Sequence, residues 1–115
     1  MPSELNGIKV AILIANGFEQ VELIEPKRAL EQAGAIVRLV SPEKNEVKGW
    51  NHTEWGDLFK VDVSLKDATA DDYDALMLPG GVMNPDKLRM QPEAVEFVSD
   101  FVDAGKPIAA ICHAP

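Results

Sequence analysis

A continuous apolar run near the N-terminus, Val10-Ala11-Ile12-Leu13-Ile14-Ala15, most constrains the fold of this 115-residue chain. A strand with one wetted face alternates polar and apolar residues, whereas a strand covered on both faces is apolar throughout. The run ends at Asn16-Gly17, a turn signal. The pattern therefore predicts a short strand at the centre of a parallel sheet.

The next segment predicts a helix and a second parallel strand. Pro26 suits the first turn of a helix, and Gly34 suits its end. Residues Ile36 to Val40 then form a partly alternating apolar strand that stops at Ser41-Pro42. This succession is typical of a right-handed βαβ unit.

The remaining pattern continues the alternation of strands and helices. Residues 43–63 are polar and carry both tryptophans, as expected of a hairpin leaving the sheet edge, where Trp50, His52 and Trp55 would pack at an edge or an oligomer interface. Residues 75–78 predict an apolar strand, and residues 108–111 predict a further strand. Between them, a helix is expected from Pro92 to Gly105. Its expected apolar face comprises Val95, Phe97, Val98, Phe101 and Val102.

These elements predict an α/β fold with an open, mostly parallel sheet, in which ligands bind at the carboxyl ends of the strands. Three segments are expected at that edge: residues 16–20, the pair Gly80-Gly81, and Cys112-His113. Glycines directly after a strand allow close approach to the backbone.

Composition excludes several classes of partner and site. A net charge of -8 and a pI near 4.6, with scattered Lys and Arg, argue against a nucleic-acid or membrane partner. No apolar run approaches the roughly 20 residues that span a bilayer. One cysteine forms no intrachain disulfide, so a cytoplasmic location fits best. One cysteine and two histidines have no metal-ligand spacing, and no cofactor or metal is expected.

Cys112 follows an apolar strand and has small residues two positions away on each side, Ala110 and Ala114. This is the spacing around the nucleophile of a strand-to-helix elbow, where glycines are usual. Such an elbow works with a following helix, whose N-terminus stabilises a thiolate. Because Pro115 is the last residue, we expect residues 1–115 to be the N-terminal part of a single, larger domain.

Three segments together resemble the DJ-1/PfpI family, within the class I glutamine amidotransferase-like fold. They are residues 10–23 with the motif Asn16-Gly17-Phe18-Glu19-Gln20, residues 74–81 ending in Leu78-Pro79-Gly80-Gly81, and residues 105–113 ending in Ala109-Ala110-Ile111-Cys112-His113. The resemblance extends over essentially the whole chain. Ala114 departs from it, since glycine is frequent there in the family.

The resemblance implies a flavodoxin-like three-layer sandwich that assembles as a homodimer or higher oligomer. It implies that Cys112 is the nucleophile, that Glu19 is a protonated acid beside it, and that His113 is the adjacent base. Backbone N–H groups of Gly80, Gly81 and His113 would form the oxyanion hole. Asp86 is the candidate for the carboxylate that, in the PfpI-like branch, orients the histidine of a neighbouring subunit.

The same resemblance implies a cofactor-independent cysteine enzyme of stress defence. Its substrates would be reactive carbonyls, as in a glyoxalase or deglycase, or peptides, as in a PfpI-type peptidase. An alternative is a redox-responsive or chaperone-like protein whose cysteine is oxidised to a sulfinate. A glutaminase half of an amidotransferase is disfavoured because no downstream His-x-Glu pair is present.

Structural roles compete with these assignments. Cys112 is also compatible with a small core residue, Glu19 with a carboxylate at a helix N-terminus, and His113 with a purely structural hydrogen bond.

Overall fold

The computed structural model describes residues 5–16, 18–43, 45–51, 54–79 and 91–110. Its strands are β1 (Lys9–Leu13), β2 (Phe18–Glu19), β3 (Ile36–Ser41), β4 (Glu46–Asn51), β5 (Glu54–Lys60), β6 (Val63–Ser64), β7 (Ala75–Leu78) and β8 (Ile108–Ala110). Its helices are α1 (Val21–Gln32) and α2 (Pro92–Asp103), with short 3-10 turns at Leu65–Asp67 and Ala70–Asp72.

The main sheet has five described strands in the order β6-β3-β1-β7-β8. Each neighbouring pair is parallel, and β1 lies in the middle. Val10 is the register partner of both Val37 in β3 and Ala75 in β7. The central position predicted for the first strand is therefore confirmed.

The side chains of β1 alternate between two hydrophobic clusters, one on each face of the sheet. Ala11 and Leu13 join the cluster that contains Phe97 and Phe101 of α2. Val10 and Ile12 join the other cluster, which contains Leu23 of α1. With a helix packed on each face, the architecture is the predicted α/β three-layer sandwich.

The start of α1 differs from the sequence expectation. Pro26 is not in the first turn but inside the helix, which begins at Val21. The carbonyl of Gln20 accepts hydrogen bonds from the backbone N–H groups of Leu23 and Ile24, at 3.1 Å each. These bonds begin the helix before the proline is reached.

The apolar face of α2 is narrower than predicted. Pro92 does open the helix, and Phe97 and Phe101 are buried with their rings 5.1 Å apart in an edge-to-face arrangement. Val95 and Val102, however, are 52% and 60% exposed. Ala94 contacts the core in their place, because it lies three residues before Phe97 on the same side of the helix.

Strands β4 and β5 form the predicted excursion from the main sheet. Strands β4 and β5 pair as an antiparallel hairpin with an irregularity between Lys48 and Trp50. The short strand β2 pairs in parallel with β4, so these three strands form a second sheet. Val47 is fully buried and attaches the hairpin to the α1 side of the core.

In the part of the chain that the structure describes, no helix is long and apolar enough to cross a membrane.

Candidate functional site

The carboxyl ends of three neighbouring strands define the candidate site. Leu78 and Ala110 are register partners and the last residues of β7 and β8. On the other side of β7, Ile12 of β1 is the partner of Met77. All three strands therefore end within about one residue of a common level at one edge of the sheet, where a doubly wound fold binds its ligands.

The predicted catalytic residues belong to segments that follow these strand ends. Gly80, Gly81 and Asp86 come after β7, and Cys112 and His113 come after β8. All five lie outside the described residues, and their assignments stay predictions. His52, the other histidine, is likewise outside the described part of the chain.

Glu19 is described through its backbone, as the second residue of β2. Phe18 and Glu19 pair with Gly49 and Trp50 of β4, which places this segment beside the hairpin. Glu19 therefore lies in the connection that leaves β1, just before α1 begins. The side chain of Glu19 lies outside the described structure, so its proximity to Cys112 stays a prediction.

Polar side chains on both sides of Glu19 bind the hairpin. The Asn16 Oδ1 atom accepts a hydrogen bond from the backbone N–H of Lys48 at 2.8 Å. The Gln20 Nε2 atom donates to Asp57 Oδ2 at 2.9 Å, and the Asp57 backbone N–H donates to Gln20 Oε1 at 2.9 Å. The segment from Asn16 to Gln20 is thus attached to the hairpin at three points.

Sequence reasoning does not identify Asp57 as a residue of this region. Asn16 and Gln20 belong to the motif of residues 16–20 that is expected at this edge, but the sequence assigns no role to either side chain. The residues of the Gln20 and Asp57 pair are 37 positions apart, and their contact depends on the hairpin folding back over the first loop. The place of Gln20 in that motif, directly after Glu19, is the sequence signal that connects it with the site.

Tyr73 is the described residue whose titration is clearly perturbed. Its side chain is buried between β7 and α2, with its ring 6.3 Å from that of Phe97. Burial raises the pKa of Tyr73 above its ordinary value, and the negative charge of Asp72 raises it further. Tyr73 belongs to the core and precedes β7 at the end opposite to the candidate site.

A separate cleft of about 660 Å³ lies between α1 and β5. Its apolar surface includes Leu23, Leu39 and Phe59, and its rim carries Lys27, Arg28 and Lys60 together with Glu31 and Asp62. Among the residues placed by the structure, no group of three or more His, Cys, Asp or Glu side chains is arranged to hold a metal ion.

On the hairpin, Trp55 is 44% exposed, and the Lys48 Nζ atom lies 5.3 Å from the centre of its ring. The exposed ring agrees with an edge position, and its role at an oligomer interface stays a prediction.

Comparison with known proteins points to one family. The family model described as "DJ-1/PfpI family" matches residues 8–115. "Deglycase PfpI" of Pyrococcus furiosus is 40% identical over 108 residues, which are 94% of this chain and 62% of the relative. "Putative cysteine protease YraA" of Bacillus subtilis is 38% identical over 107 residues, which are 93% of this chain and 61% of the relative.

A solved structure described as "Toxoplasma gondii DJ-1, oxidized" superposes with a TM-score of 0.84 at 27% identity, covering 95% of this chain and 58% of that one. The chain spans about three fifths of the length of the curated relatives that it matches.

Proposed function

Because this chain belongs to the DJ-1/PfpI family, we propose that the protein containing it is a cofactor-independent enzyme that attacks reactive carbonyl compounds through Cys112. The observation that carries the proposal is the common level at which β1, β7 and β8 end. The segments of Glu19, of Gly80-Gly81 and of Cys112-His113 leave the sheet from these three strands. Nucleophile, acid and oxyanion donors would then converge on one edge.

The proposed chemistry begins with the thiolate of Cys112. Its sulfur attacks the aldehyde carbon of a dicarbonyl such as methylglyoxal, forming a C–S bond as the C=O π bond opens. The resulting oxyanion is stabilised by backbone N–H groups of Gly80, Gly81 and His113 and takes a proton to give a hemithioacetal. Glu19, in its protonated form, donates a hydrogen bond to the thiolate before the attack.

Two proton transfers and one hydrolysis complete the reaction. Through an enediol, His113 moves the proton of the former aldehyde carbon to the neighbouring carbonyl carbon, and the hydroxyl proton of the hemithioacetal passes to the oxygen of that carbonyl, which produces a thioester of a hydroxy acid. Water then cleaves the C–S bond, releasing a hydroxy acid and the thiolate. One carbon is oxidised and its neighbour is reduced, so no external oxidant or reductant is needed.

The name of the Pyrococcus furiosus relative favours carbonyl chemistry, and the name of the Bacillus subtilis relative favours peptide hydrolysis. Both reactions use a cysteine nucleophile and an oxyanion hole, so the substrate distinguishes them. We rank carbonyl compounds first, because a small aldehyde requires no extended groove for its recognition.

The experiment is an assay of purified protein, expressed from its complete natural reading frame, with methylglyoxal and with a fluorogenic peptide. We expect loss of methylglyoxal with formation of lactate. This turnover should be abolished in Cys112→Ala, which removes the nucleophile, and reduced at least about tenfold in Glu19→Leu, which removes the hydrogen bond that keeps the thiol ionised. Turnover retained by Cys112→Ala would overturn the proposal. Cleavage of the peptide alone would assign the protein to the peptidase reaction instead.

The second candidate function is redox sensing, favoured by the oxidised state named for the structurally similar Toxoplasma gondii protein. In this case peroxide converts the Cys112 thiolate to a sulfinate, which Glu19 stabilises by hydrogen bonding. Mass analysis after peroxide treatment tests it: two oxygen atoms on Cys112, with no methylglyoxal turnover before treatment, would support sensing over catalysis.

Assembly and the role of Asp86 are part of the same proposal. We propose a homodimer or higher oligomer in which Asp86 of one subunit orients His113 of its neighbour. Asp86→Ala should lower turnover, and at limiting dilution the wild-type protein should lose activity as the oligomer dissociates.

A further inference from the structure

The first loop and the hairpin are joined by a two-point clamp, formed by Gln20 and Asp57. Both hydrogen bonds of the clamp measure 2.9 Å, one to the side chain of Asp57 and one from its backbone. A backbone N–H only donates and a carboxylate only accepts, so the orientation of the Gln20 amide is determined by its partners. This geometry holds the side chain of Gln20 in one direction.

Because Gly49 has no side chain, Gln20 can occupy the space beside it. A Cβ atom at this position would lie 3.0 Å from Gln20 Oε1 and 3.2 Å from Gln20 Cβ. A side chain at Gly49 would therefore displace Gln20 or the strand. Gly49 is also the residue of β4 that pairs with Phe18, so the clamp and the β2 pairing meet at one point.

Glu19 lies between the two attachments. On one side Asn16 accepts a hydrogen bond from Lys48, and on the other Gln20 is clamped to Asp57. The pairing of Glu19 with Trp50 holds the backbone between them. A segment bound before, at and after one residue has little freedom to move that residue relative to the sheet.

The clamp contributes more to orientation than to stability. Asp57 is exposed and Gln20 is half-buried, and a hydrogen bond in such a setting contributes only about 1 kcal/mol to the free energy of unfolding. A displacement of about 1 Å in a supporting residue, by contrast, reduces catalysis by orders of magnitude when the geometry of a reacting group depends on it.

We propose that Gln20 and Asp57 are positioning residues that hold the backbone of Glu19 where its carboxyl group meets the sulfur of Cys112. The proposal rests on the proposed function, in which Glu19 donates a hydrogen bond to the Cys112 thiolate. When the clamp is released, Glu19 moves away from the sulfur and the thiolate is less stabilised. The thiol then ionises at higher pH.

The test is the pH dependence of iodoacetamide alkylation at Cys112 in the complete natural protein. Gln20→Leu removes both clamp bonds, and Asp57→Ala removes one of them. Below the wild-type midpoint, we expect alkylation to slow by about threefold or more in these variants, the effect of raising the thiol pKa by about half a unit. Near-UV circular dichroism verifies that each variant is folded at the pH of measurement.

Two further variants distinguish an effect of positioning Glu19 from an effect of the charge of Asp57 and from a general loosening of the structure. Asp57→Asn removes the charge but keeps an oxygen that accepts a hydrogen bond from Gln20 Nε2. This variant should therefore keep the wild-type pH dependence of alkylation. Glu31→Ala breaks the exposed pair between Lys27 and Glu31, whose Nζ to Oε2 distance is 3.0 Å, elsewhere on α1. Glu31→Ala should also leave the pH dependence of alkylation unchanged.

The outcomes distinguish this inference from the proposed function. If the midpoint of wild-type alkylation lies near the pKa of a free thiol, about 8.5, the proposal that Cys112 is activated is wrong, and the positioning role is overturned with it. If the wild-type midpoint is low and Glu19→Leu raises it, but Gln20→Leu and Asp57→Ala do not, the proposed function stands and the positioning role is overturned. An equal shift in Glu31→Ala would also overturn it.

Discussion

The Lys106 Nζ atom donates a hydrogen bond of 2.6 Å to the backbone carbonyl oxygen of Tyr73. It donates a second, of 2.7 Å, to the carbonyl oxygen of Ala70, and lies 5.8 Å from the centre of the Phe101 ring. Lys106 precedes β8 in the chain, whereas Ala70 and Tyr73 precede β7. One half-buried cation thus connects the segments that precede two neighbouring strands, β7 and β8.

Replacing Lys106 with methionine should lower the free energy of unfolding by about 2 kcal/mol. The variant keeps most of the side-chain bulk but loses two hydrogen bonds from a charged donor. Each such bond contributes about 1.5 to 3 kcal/mol when it is fully buried, and at this half-buried position water replaces part of what is lost. Urea denaturation measures the change. Lys66→Met, at an exposed lysine, is the control and should change stability by less than about 0.5 kcal/mol. Equal effects of the two substitutions would contradict the role assigned to Lys106.

Phe101→Ala and Val102→Ala test the orientation of α2. Phe101 is completely buried, and its removal should destabilise the protein by about 3 to 5 kcal/mol because it leaves a cavity in the core. Val102 is 60% exposed, and its truncation should cost less than about 1 kcal/mol. Thermal and urea unfolding give both values. A larger loss from Val102→Ala than from Phe101→Ala would mean that the helix presents its other side to the sheet.

Tyr73 should make the folded state less stable at alkaline pH. The folded chain keeps the phenolic proton to higher pH, because burial and the charge of Asp72 raise the pKa of Tyr73. Above the ordinary pKa of about 10 the unfolded state loses this proton first, so stability falls as pH rises through the raised pKa. Below pH 10 both states keep the proton, so Tyr73 does not make the free energy of unfolding depend on pH.

The measurement is urea denaturation of wild type and Tyr73→Phe at neutral pH and above pH 10. The lysines titrate in the same alkaline range, so the informative quantity is the difference in slope between the two proteins. The phenylalanine variant should lose less stability on going to high pH. Identical losses would contradict a raised pKa at Tyr73.

Gly34 and Gly105 occupy the same position, directly after the C-caps of α1 and α2, with φ angles of 100° and 69°. A Cβ atom at Gly105 would meet open space, so backbone strain is the source of the loss of stability in Gly105→Ala, which should be about 1 kcal/mol. At Gly34 a Cβ atom would lie 3.1 Å from the backbone of Asn6. Gly34→Ala should therefore be clearly more destabilising in urea unfolding, and equal costs would show that the contact with Asn6 yields without penalty.

The sequence was sufficient to predict four of the five described strands of the main sheet, because each of the four is a short apolar run bounded by turn residues. The two-residue strand β6 (Val63–Ser64) was not predicted, because it contains no apolar run. The bounds predicted for β7 coincide with the observed Ala75–Leu78. Two helix details were wrong for physical reasons. Helix α1 begins before Pro26, since Gln20 already accepts the first helical bonds, and the apolar residues of α2 outnumber those that fit against the sheet.

The candidate site was predictable only in part. The edge followed from the order of strands and turns, which depends on local pattern. The clamp between Gln20 and Asp57 joins residues 37 positions apart, and nothing in local propensity relates them. The predicted roles of Cys112, His113, Asp86 and the glycine pair come from family resemblance, and they stay predictions for the assays proposed above.

The central position of β1 also has a consequence for the order of folding. Its pairing with β3 begins at Lys9 and Ile36, 27 residues apart, whereas its pairing with β7 joins Val10 to Ala75, 65 residues apart. Closing the longer loop costs about 0.8 kcal/mol more in chain entropy if the segment between is unstructured. We therefore expect β1, α1 and β3 to assemble first in the transition state and β7 to dock afterwards, so that Val37→Ala has a higher φ-value than Leu76→Ala. The edge that is proposed to carry the chemistry would then be completed late in folding.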